Sequence, residues 1–327
     1  MDINHHWYRS KLSFLSIMLL PFSLLFYCVI TLRRALYQFG LKSTTTFPVP
    51  VIIVGNITVG GTGKTPFVIW LATFLKAQGF RPGVVSRGVG GQQQIYPRKV
   101  EKLSDPAIVG DEAILLARHS ECPVVIGIDR VAAAAQLIAQ EKCNVIISDD
   151  GLQHYRLGRH IEIAVVDGVR RFGNEAMLPA GPLREPIKRL QEVDFVIAQQ
   201  QAEPNEYLML LEGSELISIK DHTNKITIES LENATVHGIA ALGNPKRFFS
   251  ALKNWGLNVI EHVFPDHYLL GRQDVTFQDN LAVIMTEKDA VKCSKFAEDY
   301  HWYLPVTAKL DERFKTALLK KIEEVKS

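Results

Sequence analysis

Eight residues, Thr58-Val59-Gly60-Gly61-Thr62-Gly63-Lys64-Thr65, combine three glycines with a lysine and a terminal hydroxyl. A phosphate-binding loop reads G-x-x-x-x-G-K-[ST], and Thr58 stands where its first glycine belongs. Backbone N–H groups from Gly60 to Gly63 can wrap a polyphosphate, because glycine allows close approach and positive φ. Lys64 then supplies a point charge to the outer phosphates, and the Thr65 hydroxyl is placed to reach Mg²⁺. Losing the outer glycine at position 58 is expected to alter how the loop leaves its strand more than it alters the cradle.

Such a loop needs an acidic metal partner at the end of a neighbouring apolar strand. "VIISDDG" offers Asp149 and Asp150, and "IAVVDG" offers Asp167 as a competitor. Adjacent carboxylates repel unless a cation or hydrogen bonds offset the cost, which favours the Asp149–Asp150 pair as metal ligands. Asp111, in "VGDEA", opens a helix. It is either an N-cap or a general base that takes a hydroxyl proton, and spacing does not separate the two. His267, in "FPDHY", is either a surface histidine or the partner of such a base.

The elements that must hold these residues alternate. "VPVIIVGN" (49–56) is a continuous β-branched run suited to a buried parallel strand, and 65–79 carries helical spacing with Pro66 in its first turn. Strands at 82–88, 122–129, 143–151, 161–168 and 194–200 and helices at 110–120 and 130–142 continue the pattern. The reading is an α/β fold: a P-loop NTPase-like, doubly wound, mostly parallel sheet at 41–203, with a second, smaller α/β domain at 204–310. A helix at 311–327 is amphipathic and can fold back on the first domain. Gln92–Gln94 reads as a loop.

Residues 12–32 are 21 residues without a charge, flanked by Arg9, Lys11, Arg33 and Arg34. At 1.5 Å per residue they can cover roughly 30 Å of hydrocarbon. The sequence predicts an N-terminal membrane-associated helix at 1–40, kinked at Pro21 or entering one leaflet; a buried hairpin helix is the alternative, and topology stays open. The 37 Lys and Arg against 35 Asp and Glu leave no basic field, so nucleic acid is not an expected partner. No obligate protein partner is evident. Cys28, Cys122, Cys143 and Cys293 stand apart, with no C-x-x-C pair to suggest zinc or a disulfide framework.

Taken in order, "GNITVGGTGKTP", "SRG" (86–88), "VGDEA", "SDDGLQH" (148–154), "LPAGPLREP" (178–186), "FPDH" (264–267) and "TEKDAVK" (286–292) resemble the tetraacyldisaccharide 4'-kinase family of lipid A assembly in Gram-negative bacteria. The resemblance implies ATP- and Mg²⁺-dependent transfer of the γ-phosphoryl group to the 4'-hydroxyl of a tetraacylated glucosamine disaccharide 1-phosphate. It implies an Asp111–His267 pair with Asp111 as base, a phosphate loop over Thr58–Thr65, metal-binding acids at Asp149 and Asp150, with Glu185 a further candidate, and Arg130 near the phosphates. It also implies a membrane-surface enzyme at the bacterial inner membrane, its catalytic domains on the cytoplasmic side. One departure is Val89, where the family commonly has tyrosine. The runner-up is a P-loop GTPase or ATPase switch or metallochaperone without a lipid acceptor; its guanine-reading N/T-K-x-D element is matched only loosely by "TEKD" (286–289).

Overall fold

The computed structural model describes residues 6–9, 11–92 and 97–326. Residues 1–5 and 10 of the N-terminal segment, Gln93 and Gln94 of the loop, and Ser327 lie outside the described residues. Seven strands form a parallel core: β1 (Val51–Gly55), β2 (Pro82–Ser86), β4 (Val124–Ile126), β5 (Val145–Ser148), β6 (Ile161–Asp167), β7 (Phe195–Gln199) and β8 (Tyr207–Glu212). Antiparallel strands β3 (Arg98–Val100) and β15 (Thr307–Leu310) close the two edges, giving the order β15-β8-β7-β6-β1-β5-β2-β4-β3. The second sheet runs β10-β9-β14-β13-β11-β12, from β9 (Glu215–Ser218), β10 (Lys225–Thr227), β11 (Thr235–Ala240), β12 (Asn258–Val263), β13 (Val283–Thr286) and β14 (His301–Leu304).

The continuous apolar runs follow from helices on both faces. In β1, Ile52 and Val54 pack with Phe67 and Leu71 of α2 (Lys64–Ala77), whereas Val51 and Ile53 pack with Ala133 and Leu137 of α4 (Arg130–Gln140). Between these helices in the chain lies α3 (Asp111–His119). The second sheet carries α5 (Pro245–Asn254) and α6 (Glu287–Cys293). The last helix, α7 (Glu312–Lys326), buries Phe314, Leu318 and Ile322 in the same core as Phe67.

The sheets divide the chain differently from the boundaries read at 203/204 and 310/311. β8 pairs with β7 and β15 pairs with β8, so both belong to the first sheet, and the second unit spans Glu215–Leu304. Of β8 only Met209 is fully buried. A half-exposed edge strand lacks the continuous apolar run of the central ones, and reads as a linker.

Helix α1 (Phe14–Gln38) continues through Pro21 and is long and apolar enough to cross a membrane by length and composition. It nevertheless has a protein-facing stripe: Ser16, Leu19, Ser23, Phe26, Ile30, Arg34 and Tyr37 are buried or half-buried at three- and four-residue spacing. The Ser23 hydroxyl donates to Met177 O (2.9 Å) and accepts from Ala180 N (3.0 Å), while Asn174 Nδ2 donates to Ser16 Oγ (3.3 Å). Phe14, Met18, Phe22, Leu25 and Leu32, by contrast, are each more than 60% exposed.

Phe314 is fully buried with its ring against Phe67, Trp70, Phe195 and Tyr207. Phe314→Ala is expected to cost about 3–5 kcal/mol, by loss of transfer energy plus a cavity. A urea titration followed by tryptophan fluorescence checks this; an unchanged midpoint would mean that α7 docks without contributing to stability.

Candidate active site

The loop leaves β1 at Gly55 and enters α2 at Lys64. Thr58 is buried and bridged to Leu183, and Val59 N donates to Pro182 O (2.8 Å), so the loop's mouth is held by the 174–184 segment. Gly60 and Gly63 have φ of 101° and 90°, values that disfavour any other residue. A Cβ on Gly63 would also lie 3.0 Å from Gln199 Oε1. Gly63 caps α2 without a side chain, which leaves the first helical N–H groups directed at the loop, as anion binding requires.

Asp149 and Asp150 follow β5 on a tight turn, Asp150 at φ 48°. Asp149 Oδ2 accepts from Ser86 Oγ (3.1 Å), but its buried Oδ1 has no partner among the described residues. The buried Thr62 hydroxyl likewise has none. Burial, reinforced by Glu112 and Asp150, pushes Asp149 up to about 6. Asp150 goes the other way. Burial raises it, yet Lys64 (Nζ–Oδ1 3.4 Å), Arg184 (3.2 Å) and Arg130 outweigh burial and hold it well below the usual carboxylate range. An oxygen-rich corner with one orphaned carboxylate oxygen, one ionised neighbour and the half-buried Thr65 suits a hard cation such as Mg²⁺. Among the described residues no three His, Cys, Asp or Glu side chains form a complete metal cage, so the phosphates and water would have to supply the remaining ligands.

The other candidates divide. The Asp167 carboxylate accepts from Val169 N, Arg170 N, Arg170 Nε and Asn244 Nδ2, which makes it a turn-former. Glu185 is buried, with one oxygen accepting from Gln153 Nε2 (2.6 Å) and the other from Tyr155 OH (2.9 Å), and with Arg189 3.3 Å away. Gln153 also donates to Asn56 O, so Glu185 braces the loop after β1. Arg130 is turned inward: its guanidinium donates to Ser148 Oγ (3.0 Å), Asp149 O and Asp150 O (3.3 Å), shaping the acidic turn. The cations facing Asp150 are Lys64 and Arg184.

Asp111, at the start of α3, meets His267 from the second unit: Nδ1 to Oδ1 is 3.2 Å. Oδ1 also accepts from Glu112 N (2.8 Å), and Lys292 Nζ lies 3.3 Å from Oδ2. Burial would raise the Asp111 carboxyl, but the bond from His267 and the charges of Lys288 and Lys292 prevail and hold it at about 2. For His267, burial is outweighed by Asp111, and its affinity for a proton is raised. A cavity of about 140 Å³ opens on the pair, lined also by Gly90, Leu269 and Lys295. A side chain on Gly243 would lie 2.9 Å from Gly61 N and 3.4 Å from Asp266 Oδ2, so the phosphate loop, Gly243 and the segment bearing His267 are contiguous.

A family model described as tetraacyldisaccharide-1-P 4'-kinase matches residues 15–323. The chain belongs to this family. The kinase is 49% identical over 322 residues to the tetraacyldisaccharide 4'-kinase of Nitrosococcus oceani, covering 98% of this chain and 94% of the relative. It is 47% identical over 319 residues to that of Coxiella burnetii, with 98% and 94% covered. Its α/β fold is similar to the crystal structure of the "apo" form LpxK from Aquifex aeolicus in complex with ATP, with a TM-score of 0.77, 28% identity, and coverage of 94% of this chain and 99% of that one.

Within the kinase, Asp289 of "TEKD" is fully buried and accepts from Ala241 N (3.0 Å) and Thr286 Oγ1 (2.7 Å), where no guanine could reach it. Residue-by-residue reading overlooked Lys288, Lys292, Arg184 and Arg170, whose guanidinium joins Gly61 O and Gly243 O at 3.3 Å. The lysines' i, i+4 spacing on one helix face was the available signal.

Asp149 yields a pH prediction. A carboxyl whose folded value is raised binds more protons folded than unfolded between about pH 4 and 6, so stability falls as pH rises through that window; Asp111 and Asp150, both lowered, act with the opposite sign below it. Asp149→Asn is expected to remove this decline. Thermal melts of metal-free protein at pH 4, 5, 6 and 7 check it, and identical pH slopes in the two proteins would refute it.

Proposed function

We propose that the kinase transfers the γ-phosphoryl group of ATP to the 4'-hydroxyl of a tetraacylated glucosamine disaccharide 1-phosphate at a membrane surface. The observation that carries this reading is the contiguity of the Gly60–Gly61 turn, Gly243, Asp266 and His267 in a member of this family. It brings a phosphate cradle and an acid–histidine pair to one cleft.

The backbone from Gly60 to Gly63 and Lys64 hold the outer phosphates, while Thr65, Asp149 and Asp150 would hold Mg²⁺. When bound, the ion would neutralise charge building on the phosphate oxygens. Asp111 Oδ1 is occupied by His267 and Glu112 N, so Oδ2, with Lys292 at 3.3 Å its partner among the described residues, is the oxygen with capacity for a hydroxyl proton. Held at about 2, this carboxylate is ionised throughout the physiological range, and a weak base of this kind serves mainly to orient a nucleophile in a loose phosphoryl-transfer transition state. The ATP-bound form of the Aquifex aeolicus LpxK supports the choice of nucleotide.

The docked stripe of α1 runs from Ser16 to Tyr37, so a transbilayer placement would draw the protein body into hydrocarbon with it. In this reading the helix lies in the interface of the cytoplasmic leaflet of the inner membrane, with the exposed Phe14, Phe22 and Leu25 among the acyl chains. A four-chain acceptor, costly to extract at about 0.8 kcal/mol per CH₂, is then met without leaving the bilayer.

Purified protein with labelled ATP and Mg²⁺ should phosphorylate a tetraacyl disaccharide 1-phosphate in mixed micelles; GTP hydrolysis without lipid transfer would overturn the kinase reading for this acceptor. Asp111→Asn should lower transfer by about 10²–10⁴-fold with the fold intact by circular dichroism, and retained transfer would remove Asp111 as base. Replacing Phe22 and Leu25 together with glutamine should shift the protein from membrane pellet to supernatant, and an unchanged distribution would place the anchor elsewhere.

A further inference from the structure

We propose that Lys288 is a positioning residue that fixes the proton of neutral His267 on Nδ1 and caps its Nε2, so that His267 orients the Asp111 carboxylate and does not itself receive the hydroxyl proton. The inference rests on the acid–histidine reading above and deepens it.

Lys288 is largely buried on α6, with its Nζ 3.0 Å from Glu112 Oε1, 3.0 Å from Asp266 Oδ1 and 3.3 Å from His267 Nε2. An ammonium has three N–H donors and no lone pair, so each of these three neighbours must act as an acceptor. A neutral imidazole that accepts at Nε2 carries its proton on Nδ1. Nδ1 lies 3.2 Å from Asp111 Oδ1, and the N–H therefore donates to the carboxylate. The ammonium stays charged: burial disfavours it, but Glu112, Asp111 and Asp266 surround it and raise its affinity for the proton.

The other charged groups around the ring do not compete for Nε2. Asp266 Oδ1 is 3.8 Å from it, outside hydrogen-bond distance, and bonds Lys288 instead. Lys292, one turn along α6, serves Asp111 Oδ2 and Asp289 Oδ1. In a relay of the serine-protease type, a histidine anchored through Nδ1 takes the nucleophile's proton at Nε2. Here that lone pair is already engaged by a cation, and the free proton-accepting capacity of the pair resides on Asp111. Glu112 sits beside Asp111 in sequence, so α3 supplies both the base and a counter-ion for the lysine that aims its partner.

The test is a two-dimensional ¹⁵N–¹H spectrum of ¹⁵N-histidine-labelled full-length protein in detergent micelles, with His267 assigned by loss of its signals in His267→Gln. At a pH where the ring is neutral, wild-type His267 is expected to show a protonated Nδ1 and an unprotonated Nε2. A protonated Nε2 in the neutral wild-type ring overturns the proposal, whether or not any variant folds. Lys288→Met should raise the His267 titration midpoint by about one pH unit, by removing a like charge and the cap, whereas Lys288→Arg, which keeps a cationic donor, should stay near wild type. A Lys288→Met ring with an unchanged midpoint and unchanged tautomer also overturns it. Lipid transfer by Asp111→Asn, measured separately, decides the base assignment and leaves the tautomer result standing on its own.

Discussion

Four buried or half-buried charges between the two sheets set the terms for the rest of the molecule. Lys288 and Lys292, one turn apart on α6, reach Glu112 and Asp111, adjacent at the start of α3. An ammonium or carboxylate withdrawn from water is tolerable only with a partner of opposite sign, and removing one member of such a pair strands the other. The second unit thus cannot drift from the first without exposing or orphaning these groups. The same contacts bring Asp266 and His267 to Asp111, so the geometry of this candidate pair and the seam between the sheets are one set of interactions.

The phosphate loop has its own supporting shell. From below, Gln199 and Met209 press against Gly63, and from the second unit Gly243 closes on Gly60 and Gly61, with Arg170 joining both backbones. Beneath the acidic turn, Arg130 ties three consecutive residues, Ser148 to Asp150, to the start of α4. The turn can therefore present one strongly ionised carboxylate and one with raised affinity for a proton side by side. Their split follows from position: Asp150 faces Lys64 and Arg184, while Asp149 is buried beside Ser86 with Glu112 and Asp150 as like charges.

Much of this was legible in the residues. The β-branched runs of β1, β2, β5, β6 and β7 announce buried parallel strands because helices cover both faces, and the glycine-rich loop between β1 and α2 announces its ligand class. The half-exposed edge strands β8 and β15 carry no such run, so nothing local ties them to the first sheet. Arg130 and Glu185 were read for their charge, yet burial diverts both into bracing neighbouring backbone and side chains. The Asp111–His267 and Lys288–Glu112 contacts join residues 156 and 176 positions apart, and no local periodicity encodes such a meeting. The residues alone left the first of them as one of two readings, the family resemblance implied it, and neither pointed to the lysines.

The segment 174–183 touches α1 on one side and the mouth of the phosphate loop on the other: Ser23 bonds Met177 and Ala180, while Pro182 and Leu183 hold Val59 and Thr58. Trp7 and Tyr8 join the same wall, the first to Pro179 O and the second to Val59 O. No flexible tether intervenes between the apolar surface of α1 and the phosphate cradle. The wall acts as a ruler: it sets one fixed height for the cleft above the exposed apolar face of α1, and neither can shift without the other.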